Sequence, residues 1–129
     1  MPSWITICDT CKTPETAATS SAPVDGISDG ARLAAMIEAA AQDVPEVRTR
    51  RVSCLMGCTH GCNIAIQAQG KLAYTLGRFV PDAEAAAGIV AYAAAHAASE
   101  TGQVPFRTWP QAIKGHFVTR HPPLPADDA

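Results

Sequence analysis

Trp4-Ile5-Thr6-Ile7-Cys8 alternates with a period of two and is rich in β-branched residues. That pattern predicts a short strand, and the strand ends on a cysteine. Lys12 to Gly26 follows, rich in Thr, Ser, Pro and Ala, and reads as a loop. Ser28 can then cap a helix, with Asp29 complementing the dipole in its first turn. Leu33, Ile37, Ala40, Ala41 and Val44 recur at helical spacing, and Pro45 closes the helix because the residue before a proline leaves the α region.

The pattern continues with a strand over 47–53, less clear because of its three arginines. A third strand is predicted over 63–67, with Ile64 and Ile66 on one face. A tight turn at Gln69-Gly70-Lys71 and a fourth strand over 72–79 complete a hairpin. Pro81-Asp82 opens a second helix, with Ala86, Ile89, Val90 and Ala93 as its apolar stripe. Gly88 costs that helix about 1 kcal/mol against alanine, which predicts close helix–sheet packing there. The order is β-α-β-β-β-α. A strand–helix–strand unit gives two parallel strands, the hairpin adds antiparallel ones, and the last helix covers the sheet. This is an α/β fold on a thioredoxin-like plan, with a mixed four-stranded sheet.

The chain has 129 residues, within the roughly 100–150 residues commonest for one domain. Residues 1–102 are expected to form that domain. Residues 103–129 shift to a proline-rich composition and are expected to be an extension that docks through Trp109 and Phe117 and frays from Pro122. Net charge is −2 and the pI about 6.0, so bulk charge does not suggest a nucleic-acid protein. No basic and apolar leader opens the chain, and the apolar stretch over 83–98 falls short of a membrane span. A cytoplasmic protein with reduced thiols is the expectation.

All five cysteines fall in two groups. Cys8 and Cys11 form C-x-x-C; Cys54, Cys58 and Cys62 form C-x3-C-x3-C. Cys8 ends the first strand, and Cys54 is expected to end the second. If those strands are parallel neighbours, the two groups meet at the carboxyl end of the sheet, where ligand sites in open α/β sheets gather. Gly57 and Gly61 would let the second loop wrap closely around a bound centre. Four thiolates suffice for a [2Fe–2S] cluster, and Cys8, Cys11, Cys54 and Cys58 are the expected ligands. Cys62, at the start of the third strand, is the expected spare, a small buried hydrophobe.

Cys54-Leu55-Met56-Gly57-Cys58 with Thr59-His60-Gly61 and the hairpin resembles the cluster loop of thioredoxin-like [2Fe–2S] ferredoxins. The spacing Ile-x-Ile-Cys-x-x-Cys and Cys-Leu-x-x-Cys-x-x-Gly-Cys is also similar to a family of predicted metal-binding proteins linked to cobalamin biosynthesis. The resemblance covers roughly Ile5 to Ala98. It implies a one-electron carrier rather than an enzyme, electron transport to a redox partner protein in cobalamin or tetrapyrrole metabolism, and a homodimer as an open oligomeric state. By the same similarity, Cys8, Cys11, Cys54 and Cys58 carry over as ligands. This chain departs from those ferredoxins in placing only two residues between its first two cysteines, and Cys62 has no ligand counterpart there.

Two other readings compete. A structural zinc site takes four cysteines, with His60 able to replace one. A thiol–disulfide oxidoreductase would use Cys8 and Cys11, but a C-x-x-C of that kind normally opens a helix, and here Thr13-Pro14 and a loop follow. Buried structural cysteines are the plain alternative. Arg48, Arg50, Arg51 and Arg78 read either as a patch for an acidic partner or as a solvated strand face. His96 is expected on a helix face, and His116 and His121 in solvent. There is no Ser/His/Asp arrangement and no phosphate-binding glycine loop.

Overall fold

The computed structural model describes residues 2–9, 28–52 and 62–123. The predicted loop over 12–26, and with it Cys11, Cys54, Cys58, Gly57, His60 and Gly61, lies outside them. Strand β1 is Ser3–Cys8, helix α1 is Asp29–Ala41 and strand β2 is Val47–Val52. Strands β3 (Ile64–Gln67) and β4 (Ala73–Leu76) form the hairpin, followed by helix α2 (Ala83–Ala98). The caps fall as the sequence predicts: the Ser28 and Asp82 side chains accept from Ala31 N–H and Ala85 N–H. Each removes an orphan donor from a helix start.

The sheet runs β2-β1-β3-β4-β5. β1 and β2 are parallel, and the other neighbours are antiparallel. Both helices pack on β1, on β2 and on each other, so they share one face of the sheet. Ile5, Ile7, Ile64, Ile66 and Leu76 meet Leu33, Ile37 and Ile89 there, all fully buried. Burying each such side chain contributes about 1.5–3 kcal/mol. The opposite face carries no helix among the described residues.

Among the described residues the sheet has five strands where four were predicted. β5, Phe117–His121, comes from the proline-rich segment and pairs with β4. The aromatics of that segment do dock. Phe117 packs edge-on to Tyr74 and Tyr92, and Trp109 packs on Tyr92 and donates its indole N–H to the Val104 carbonyl at 2.8 Å. Gly88 is close-packed, but against this segment rather than the sheet: a Cβ there would sit 2.8 Å from the Ala112 Cβ. α2 is therefore covered on two sides, which suits a helix so rich in alanine.

His96 lies on α2 as expected, and it is fully buried near the helix's C-terminal end. Its Nε2 lies 2.6 Å from the Leu72 carbonyl, which only accepts, so Nε2 carries the proton. Nδ1 then accepts from the Ser3 hydroxyl at 2.6 Å. One ring thus joins β1, α2 and the lead-in to β4.

Candidate metal centre

The site begins with the parallel pairing of β1 and β2. Their register matches Cys8 with Val52, and the Asp9 N–H continues the ladder by donating to the Val52 carbonyl at 3.0 Å. The chain thus leaves both strands at one end of the sheet. Cys8 is buried there, its N–H donating to the Asn63 carbonyl at 3.3 Å.

Two elements close this end. Ser28 donates its hydroxyl to the Asp9 carbonyl while it caps α1. A single serine therefore anchors the helix start, with its positive dipole end, beside the outlet of β1. The cap is legible in the sequence and the tether is not, because the helix-capping signal is silent about the hydroxyl's second partner.

Cys62 forms the other wall. Its N–H donates to the Phe79 carbonyl at 3.4 Å, and the Phe79 N–H returns a bond to the Cys62 carbonyl at 3.2 Å. Ile64 pairs with Leu76, so the bonds from Cys62 to Phe79 accommodate one extra residue on the β4 side. Gly77 and Arg78 form that bulge, with Arg78 at a φ of 64°. Bulges of this kind re-aim a strand at its end, and this one shortens the predicted fourth strand, which stops at Leu76.

The Cys62 side chain is fully buried. Burial pushes its thiol up to about 12, with the charges of Asp29 and Cys8 adding to the effect. Cys62 is thus a small buried residue at the start of β3, as expected from the sequence.

His116, expected in solvent, stacks on Phe79 at 4.3 Å between ring centroids. Its Nδ1 donates to the Gly77 carbonyl at 2.8 Å, bracing the bulge. The four arginines do not form one patch. Arg51 is held by Glu38 in a two-pronged ion pair, Arg48 and Arg50 lie on the helix-free face, and Arg78 sits in the bulge.

Of the cluster ligands expected from sequence, Cys8 is described, and it stands at the predicted end of the sheet. Among the described residues, no group of three or more His, Cys, Asp or Glu side chains converges as a metal site. No helix among them is long and apolar enough to cross a membrane.

The fold and this end of the sheet define a mixed α/β protein that has, among the described residues, a five-stranded sheet, two α-helices on one face and buried cysteines where β1 and β2 discharge. Residues 5–123 match the family described as a protein of unknown function, DUF1636, and the chain belongs to that family. The match runs through β5. No curated protein and no solved structure matches the chain.

Proposed function

We propose that the protein is a small one-electron carrier holding one [2Fe–2S] cluster on Cys8, Cys11, Cys54 and Cys58. The observation that carries this reading is the in-register parallel pairing of β1 and β2, with Cys8 opposite Val52. Cys54 follows Val52 by two residues, and Cys11 follows Cys8 by three. The order β2-β1-β3-β4 supports the thioredoxin-like plan on which such ferredoxins are built, with β5 as an added edge strand.

When bound, the cluster supplies one-electron exchange without substrate chemistry. The chain's own part is to hold the sulfurs and exclude water. Ser28 fixes the outlet of β1, the Cys62–Phe79 pair and the Arg78 bulge fix the start of β3, and the buried Cys62 thiol keeps that wall apolar. The resemblance points to electrons passing to a cytoplasmic partner in cobalamin or tetrapyrrole metabolism.

Anaerobic purification tests the reading. A brown protein with iron and sulfide, and an EPR signal on one-electron reduction, is the expected result. Stoichiometric zinc in a colourless sample would establish the structural-zinc alternative instead. A metal-free protein with a reversible Cys8–Cys11 disulfide would establish the dithiol one.

A further inference from the structure

The helix-free face of the sheet carries a feature that the cysteine end does not use. Trp4 and Arg48 are register partners on β1 and β2, as are Thr6 and Arg50. The Arg48 guanidinium lies 6.0 Å from the Trp4 ring centroid. Arg50 donates to the Thr6 hydroxyl at 2.7 Å and reaches across β1 to the Gln67 side chain at 3.3 Å. Both arginines therefore lean inward over the sheet.

Their charges are unbalanced. Arg51, on the same strand, has Glu38 at 2.7 Å. Among the described residues no carboxylate pairs with Arg48 or Arg50, and Arg50 is oriented by neutral acceptors alone. Charge on an edge strand commonly serves to repel strand addition. That role does not account for an exposed tryptophan beside it, 36% accessible, or for guanidinium groups turned away from the edge. Trp4, Arg50 and Gln67 border a shallow cavity of about 290 Å³. It adjoins a second of about 670 Å³ that runs past Gly70 and Ala73 to His121.

We infer that this face docks an acidic, extended segment of a partner protein. Its carboxylates, two residues apart, meet Arg48 and Arg50, and the chain between them rests on Trp4. Residues two apart on a strand are about 7 Å apart on one face, which matches alternate residues of an extended peptide. A nucleic acid fits less well. The groove beyond the two arginines is walled by glutamines, alanines, Gly70, prolines and His121, with no arginine, and Lys71 Nζ is already engaged by the carbonyls of His96 and Ala97. The face runs along β1 from Trp4 to Thr6, two residues short of Cys8, and the proposal uses none of the cysteines.

The test is fluorescence anisotropy of a short labelled peptide of alternating glutamate and threonine, titrated with the full chain. A glutamine counterpart and oligothymidine serve as comparison probes. Saturable binding that weakens with salt and falls by about tenfold in R48Q/R50Q, with circular dichroism unchanged, is expected. R107Q, on an exposed turn elsewhere, should bind as the parent does. Should R48Q/R50Q fail to fold, R48Q alone is read in its place. No binding of the glutamate peptide, equal binding of the glutamine peptide, undiminished binding in the variant, or tighter binding of oligothymidine would each overturn the proposal.

Discussion

Ser3 donates its hydroxyl to Nδ1 of His96 at 2.6 Å, across ninety-three residues of sequence, in a region closed to solvent. The ring's other nitrogen is spent on the Leu72 carbonyl. Burial holds the imidazole below its ordinary value of 6.5. The folded state therefore favours the neutral ring, while the unfolded chain takes up a proton near the ordinary value. Stability from this residue is complete above about pH 6.5 and is lost as pH falls from there through the depressed folded value. Urea unfolding at pH 8 and at successively lower pH should show that decline, and H96Q should flatten it.

Ser3→Ala leaves the buried Nδ1 without its donor. A loss of about 1–3 kcal/mol in unfolding free energy is expected at neutral pH, the usual penalty for orphaning a buried polar atom.

Gly88→Ala separates propensity from packing. In an exposed helix the change would gain up to about 1 kcal/mol. Here the new methyl would meet Ala112 Cβ at 2.8 Å, and that atom has no rotamer by which to retreat. A net loss of about 1–3 kcal/mol is expected, as for overpacked cores. Amide exchange should speed up in 103–121 more than in β1.

Arg78 is exposed and adopts a left-handed backbone at φ 64°. Arg78→Gly should raise the thermal midpoint, because the left-handed conformation costs a non-glycine residue about 1–2 kcal/mol. A midpoint that falls instead would show that the arginine side chain contributes more than its backbone costs.

Cys62→Ala should retain the iron and visible absorbance of anaerobic protein, since that thiol is fully buried at the start of β3 and lies outside the proposed ligand set. Cys8→Ser and Cys54→Ser should each lose most of both. Loss of iron in C62A, with the fold intact by circular dichroism, would place Cys62 among the ligands.

Much of this architecture is legible from local chemistry. Ser28 and Asp82 announce the helices because each sits directly before an acidic first turn and an apolar stripe. The turn at 68–71 is legible because Gly70 takes a φ of 75°. β5 is not, since Phe117-Val118-Thr119-Arg120-His121 lacks alternation and its partner strand lies some forty residues earlier. His96 is hidden for a related reason. A helix with alanine on nearly every side gives no hint of which face is buried, and only the tertiary partners Ser3 and Leu72 decide it. At the candidate site, the end of β1 could be read from its β-branched run. The burial of Cys62 could be read from its place at the start of the third strand, whereas the nearness of Asp29, which adds to the upward push on its thiol, depends on the tertiary fold.

The fifth strand also bears on how the polypeptide can be handled. Truncation after Gly102, where the composition changes, would uncover the rings of Tyr74 and Tyr92 and open the flank of α2 at Gly88. It would also leave β4 as a raw edge with unpaired amides. Such a fragment would be prone to aggregation during recombinant expression, so the proline-rich segment belongs in any clone meant to yield native material.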